Sequence, residues 1–249
     1  DKLMETSGIS ETIANNMIDK KVRNNVDNAL KYMKQNNINV ISVFDDDYPQ
    51  MLKEIYAPPI CLYIKGNLQL LKMQNISLIG CRKCSQYGKK TAYYFSYNLS
   101  KAGFNIVSGL ARGIDSYSHI GCLAAKGKTI AVMGSGLDNI YPKENEQLVN
   151  EIIKQNGAII TQYPLGTKPE KNNFPARNRI ISGLSKAVLV IEARAKSGTL
   201  ITVDFALEQG KDVFAVPGNI NSANSVGTNE LIKQGAIPVC NYKDILDNI

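Results

Sequence analysis

The chain holds one histidine in 249 residues and only one close cysteine pair, Cys81 and Cys84, among five cysteines. That is too little for a zinc site, which needs four clustered nitrogen and sulfur ligands. A redox role for the pair is not expected either, although cations such as Arg82 and Lys83 between two thiols are able to lower a thiol pKa. An odd cysteine count at irregular spacing fits a reducing cytoplasm better than a disulfide framework. No apolar run approaches a membrane span and no signal-peptide pattern opens the chain. It begins on Asp1 rather than methionine, as a trimmed sequence does. Internal repeats and low-complexity tracts are also missing. The lone His119 has no serine or cysteine partner legible in the sequence, so a packed or capping histidine is expected rather than a general base.

What is present is positive charge, unevenly placed. The net charge is +7. Residues 1–70 carry 8 Lys/Arg against 9 Asp/Glu, whereas residues 71–249 carry 21 against 13, a net of +8. A polyanionic partner for the later part follows. With 44% hydrophobic residues the chain can bury one substantial core and carry a small appended module.

Residues 1–37 read as helical and polar, with a short helix over Ser10–Lys21 and an apolar stripe at Val26, Ala29, Leu30 and Met33. Residues 1–70 are therefore taken as an N-terminal helical module and connecting segment. From residue 75 short apolar strands are expected at Ile76–Ile79, Asn105–Val107, Thr129–Met133, Ala158–Thr161, Ala187–Ile191, Val213–Val216 and Ile237–Val239. Helical stretches separate most of them. Strands that are apolar throughout and alternate with helices predict an α/β fold: a mostly parallel sheet covered on both faces. Ligands of such sheets sit at the carboxyl ends of strands near the switch in strand order.

Two nucleotide signatures are near misses. Gly134-Ser135-Gly136 begins a dinucleotide fingerprint, but Asn139 replaces its third glycine and Tyr141-Pro142 delays any helix. Gly121–Thr129 ends in Gly-Lys-Thr, yet its glycines are one residue too far apart for a P-loop, and Thr129 enters a strand. NAD binding and P-loop ATP hydrolysis are both excluded. Four segments remain for an anion site. Gly80-Cys81-Arg82 and Ser108-Gly109-Leu110-Ala111-Arg112-Gly113 each end a strand, so Arg82 and Arg112 should converge above the sheet. Ser197-Gly198-Thr199 opens a helix, where free N–H groups favour anions. Phe174-Pro175-Ala176-Arg177-Asn178-Arg179 joins an aromatic face to two guanidinium groups, the combination that single-stranded nucleic acid exploits. Arg177 and Arg179 stand two apart and cannot share a helix face. One is expected to enter the site; the other pairs with an acid or reaches strand backbone. For Asp115 a cap or salt bridge is expected, not catalysis.

In order and spacing these segments, with Thr129–Pro142 and Val213-Phe214-Ala215-Val216-Pro217-Gly218, resemble the DNA-processing protein A (DprA, or Smf) family over roughly residues 40–240. The resemblance implies a Rossmann-like domain over residues 71–249. It also implies a non-catalytic, cytoplasmic, homodimeric binder of single-stranded DNA. Such a protein protects strands in natural transformation and helps load the RecA recombinase. By the same analogy the DNA pocket comprises Arg82, Arg112, Phe174, Arg177 and Asn178. Close backbone contacts come from Ser108, Gly109 and Gly198, and Lys168 and Lys171 extend the charge. Gly113, Arg179 and Thr199 belong to the same motifs and are included. No cofactor or metal is implied. The dimer face is expected near Leu231–Cys240. Cys81 stands where serine is usual and Gln162 where glutamate is common. The winged-helix-like C-terminal domain of many members is not expected here. Two alternatives stay open: a sensor of a nucleotide-derived ligand, and a phosphoribohydrolase-like enzyme. In the latter, the segment ending at Thr202 lacks the family's catalytic glutamate, but Glu192 and Asp204 lie nearby.

Overall fold

The computed structural model describes residues 10–18 and 20–249, and of residues 16–18 and 20–24 the backbone alone. The helical reading of residues 1–9 lies outside the described residues. Two compact units part between Asn39 and Val40. The first contains helices α1 (Glu11–Ile18) and α2 (Lys20–Gln35).

The second unit is built on a sheet whose strands are β1 (Ile38–Ser42), β2 (Cys61–Gly66), β3 (Asn75–Ile79), β4 (Asn105–Ser108), β5 (Thr129–Val132), β6 (Ala158–Thr161), β7 (Ala187–Val190), β8 (Asp212–Ala215) and β9 (Ile237–Pro238). The helices around it are α3 (Gln50–Lys53), α4 (Gln86–Lys101), α5 (Ile114–Ala124), α6 (Glu146–Lys154), α7 (Asn173–Gly183), α8 (Gly198–Glu208), α9 (Val226–Lys233) and α10 (Lys243–Leu246). Strand order is β1-β2-β6-β5-β4-β3-β7-β8-β9. All pairs from β6 to β9 are parallel.

β3 to β7 are buried at every position because both faces are covered. Successive side chains alternate between two cores, as a pleated strand requires. Val188 and Val190 of β7 join one core with Ile180 of α7 and Leu184, which caps that helix. Leu189 and Ile191 join the other with Phe95 of α4 and Ile114 of α5. The expected α/β class and all seven strands from residue 75 onward are present.

The domain boundary differs from that expected at residue 70. β2 pairs antiparallel with β6, Tyr63 opposite Thr161, so residues 40–70 extend the sheet of the larger unit. A composition shift marks where charge changes, not where hydrogen-bonded pairing ends. Among the described residues no helix is long and apolar enough to cross a membrane.

Candidate nucleic-acid interface

The chain runs from β3 outward through β4, β5 and β6, then returns through α7 to β7 on the other side of β3. The strand order therefore switches between β3 and β7, where a parallel sheet opens a crevice at its carboxyl edge. A cleft of about 690 Å³ lies there. Its walls come from the turn after β3 (Arg82, Lys83), the first turns of α7 (Phe174, Asn178) and the loop from β7 into α8 (Arg194, Lys196). The N-terminus of α8, at Gly198 and Thr199, also opens into it.

α7 starts with Pro175 in its first turn, where a missing N–H costs nothing and the fixed φ suits a helix. Phe174, Arg177 and Asn178 then fall at i, i+3 and i+4 on one face, and all three line the cleft. The Phe174 ring lies against the backbone of Gly134, where even a methyl group would come within 2.9 Å of it. Tyr141 packs beside it at 5.6 Å between centroids. The Arg82 guanidinium sits 5.4 Å from the ring centroid, within cation–π range. A smaller hollow joins Phe174 and Tyr141 to Arg82, Arg112 and Arg177. The three arginines thus meet around one aromatic pair.

They are not equivalent. Arg177 is 4% exposed. Its Nη1 donates to the carbonyl of Gly109 at 2.7 Å and to that of Val132, fastening α7 to the ends of β4 and β5. Burial pushes its pKa down to about 10, against the pull of Asp115, so it stays charged at neutral pH. Arg177 is a fastening beneath the site, not a free phosphate ligand, because two strand carbonyls hold one nitrogen. Arg179 points away from the cleft. It donates to the Ala57 carbonyl (2.9 Å) and to Gln162 Oε1 (2.6 Å). Its placement among the pocket residues is corrected accordingly: the i+2 position faces the β2 side. Gln162 keeps the acceptor that a glutamate would supply there, without its charge. Arg112 is exposed and held by both oxygens of Glu144, at 2.5 and 2.7 Å. That pair raises the Arg112 pKa and lowers that of Glu144 through the shared hydrogen bonds.

The loop after β4 is rigid. Asp115 Oδ2 accepts the N–H groups of Gly109 (3.0 Å) and Ala111 (3.3 Å), and Asn145 donates to the Leu110 carbonyl at 2.7 Å. Asp115 is a staple for this loop and not the expected helix cap, which is Gly113, nor, among the described residues, a salt-bridge partner; burial raises its pKa, opposed by Arg177. Gly109 thereby spends its N–H internally, and Ser108 donates its hydroxyl to the Leu78 carbonyl at 2.6 Å beneath the surface. Neither offers that group to a ligand, so both position the loop. Gly113 has φ +77°, and a Cβ there would meet the Cys81 and Arg82 carbonyls at 2.4 and 2.5 Å. It lets the two arginine-bearing turns touch. Lys168 is exposed but lines no part of the cleft, whereas Lys171 does.

Lys83, Tyr141, Arg194 and Lys196 line the cleft and were missed in the sequence reading. The Glu192-to-Ser197 stretch directly follows an apolar strand, and that position was the available signal. Among the described residues Arg82, Lys83, Lys171, Arg194 and Lys196 have no carboxylate partner. Glu192 is 2% exposed and accepts from Ser85 N (2.9 Å), the Ser85 hydroxyl and Asn224 Nδ2 (3.1 Å). Asp204 is exposed on α8 and does not line the cleft. His119 is fully buried, its Nδ1 bonded to Thr129 Oγ1 at 2.7 Å, so it is a packing residue.

A family model described as DNA recombination-mediator protein A matches residues 39–249. Protein Smf of Escherichia coli is 41% identical over 91% of this chain, which spans only 61% of that protein's length. The crystal structure of DNA processing protein A from Streptococcus pneumoniae superposes with a TM-score of 0.83 at 42% identity, covering 92% of this chain and 80% of that one. That of DNA processing protein A from Helicobacter pylori, a structure described for its single-stranded DNA binding mode, gives 0.76 at 31% identity over 84% and 94% of the two chains. With a match running from β1 to the last residue, the chain belongs to the DNA recombination-mediator protein A family.

Proposed function

We propose that this protein binds single-stranded DNA in the cleft at the β3/β7 switch point and serves recombination without cutting the strand. The observation that carries the reading is Arg82 beside the Phe174 ring, surrounded by cations that no carboxylate neutralises among the described residues. Phosphates meet Arg82, Lys83, Lys171, Arg194 and Lys196, while a base stacks on the Phe174–Tyr141 platform. Duplex is disfavoured because its bases are already stacked and paired. Weak sequence preference follows, since phosphate and stacking contacts tolerate any base.

The same reading assigns the protein to the cytoplasm, to DNA uptake and recombination, and to loading of RecA, acting as a homodimer. An enzymatic role finds little support in the cleft. Two buried carboxylates lie at or near it: Asp115, which lines it, already accepts from the Gly109 and Ala111 N–H groups, and Glu192 accepts from Ser85 and Asn224, leaving both poorly placed for acid–base work. Gel shifts with single strands against duplex, with sizing in the presence and absence of DNA, test binding and assembly together. Equal affinity for duplex would overturn the single-strand reading. Incubation with AMP, watching for released base, tests the enzyme, and appreciable turnover would reverse the ranking.

A further inference from the structure

Residues 81–128 carry eight Lys/Arg and a single acid, Asp115, a net of +7 that equals the excess of the whole chain. Asp115 is buried, so the surface of this segment is cationic throughout. Five of the chain's 12 tyrosines, at 87, 93, 94, 97 and 117, fall in the same stretch. A core needs neither feature. α4 buries Ala92, Phe95 and Leu99, and leaves Tyr87, Tyr93 and Tyr94 exposed and Tyr97 half-buried.

The helix orders these residues. Lys89, Tyr93, Tyr97 and Lys101 follow one another at i, i+4, i+8 and i+12, a single ridge about 18 Å long at 1.5 Å per residue. Tyr93 and Tyr97 lie stacked, 6.1 Å between centroids and 16° between planes. Lys101 sits over Tyr97 at 5.7 Å, and Lys89 over Tyr117 of α5 at 5.5 Å. Among the described residues neither lysine has a carboxylate partner. The ridge begins four residues after Ser85, which follows directly on the Arg82–Lys83 turn of the cleft.

We infer that this ridge is a second stacking track, on which single-stranded DNA leaving the cleft continues along α4. A pair of flat rings flanked by a cation at each end offers stacking surface between two phosphate sites, the elements that sequence-tolerant single-strand surfaces combine. An unpaired polynucleotide is the occupant because residues 81–128 carry eight cations and expose no acid of their own to attract a basic partner, and the rings are spaced along a line. The inference rests on the cleft being a single-strand site.

The test compares a short oligo-dT of about five nucleotides, enough for the four or so phosphates assigned to the cleft, with a 30-nucleotide oligo-dT, by fluorescence anisotropy on the full chain. Tyr93→Ala/Tyr97→Ala should leave the short oligonucleotide's affinity unchanged and weaken the long one by about tenfold or more, two stacked bases being lost. Lys89→Gln/Lys101→Gln should reduce the log–log salt slope for the long strand alone, by about 1.4 at roughly 0.7 per phosphate. Retained short-strand binding and an unchanged thermal midpoint exclude misfolding as the cause. If both lengths weaken equally, or the long strand keeps its full affinity, the track is overturned while the cleft stands. If the tyrosine variant instead changes the sedimenting mass without DNA, the ridge is a contact between copies and the track is likewise overturned. Wild-type protein that binds neither length overturns the cleft reading, and the track with it.

Discussion

At the residue scale, four arginines that look alike in sequence have different physical roles. Arg82 is free beside an aromatic ring, Arg112 is neutralised by Glu144, Arg177 is a buried fastening, and Arg179 faces β2. Arg82→Ala should weaken single-strand binding and flatten its salt slope by about 0.7, read by titration at several salt concentrations. Glu144→Gln should do the reverse, releasing Arg112 to the strand and steepening the slope. Arg179→Ala should leave affinity intact and lower only the denaturation midpoint. For Arg177→Ala the stability loss should reach about 3 kcal/mol, since two strand carbonyls lose their donor in the interior. Phe174→Ala should cost about 1–3 kcal/mol of binding with little change in fold.

His119 gives a pH signature of the same single-residue kind. Burial drives its pKa down from 6.5 to about 3. Thr129 Oγ1 donates to the Ile106 carbonyl and so accepts from Nδ1–H, leaving the buried Nε2 without a partner. The unfolded chain takes up this proton below about pH 6.5 and the folded one does not, so the stabilising contribution, full above 6.5, fades as pH falls towards 3. The loss should be about 2 kcal/mol between pH 7.5 and 5. Urea denaturation at both pH values should show that loss, and His119→Gln should remove that part of it.

At the scale of elements, the loops after β3 and β4 interlock through Gly113. Gly113→Ala must adopt a left-handed φ and drive a methyl into two carbonyls. It should separate the Arg82 and Arg112 turns, destabilise by about 1–3 kcal/mol, and weaken single-strand binding more than Arg82→Ala does. This level also explains what the sequence made legible. Doubly buried strands such as Val188–Val190 announce themselves by uninterrupted apolar runs, and the Arg82, Phe174 and Gly198 segments by their places after strands or at helix starts. The antiparallel partner of β2, β6, lies about a hundred residues on, and no local pattern encodes that pairing. Nor does spacing reveal which of Arg177 and Arg179 turns inward; that depends on where the Gly109 and Val132 carbonyls lie. Arg194 and Lys196 escaped notice because isolated cations in an exposed loop carry no periodicity.

For the whole molecule, the five cations around one cleft that have no carboxylate partner among the described residues set the salt response. If about four phosphates are neutralised, the log–log slope should be near −3. A slope near zero in a salt titration would remove the electrostatic basis of the cleft. The chain matches its relatives from β1 onward, and the sheet beneath the cleft is continuous from β2 to β9. The binding surface therefore stands on the part of the molecule with the largest core.

Phe174 is wedged between the Gly134 backbone and Tyr141, on a helix that Arg177 pins to two strands. A ring held this firmly has little ordering left to lose when DNA arrives, so the conformational work falls on the incoming polymer. Adenine runs stack strongly on themselves and must be pulled apart to reach it, whereas thymine runs are already loose. Oligo-dT should consequently bind more tightly than oligo-dA of equal length, with the gap narrowing as temperature melts the adenine stack.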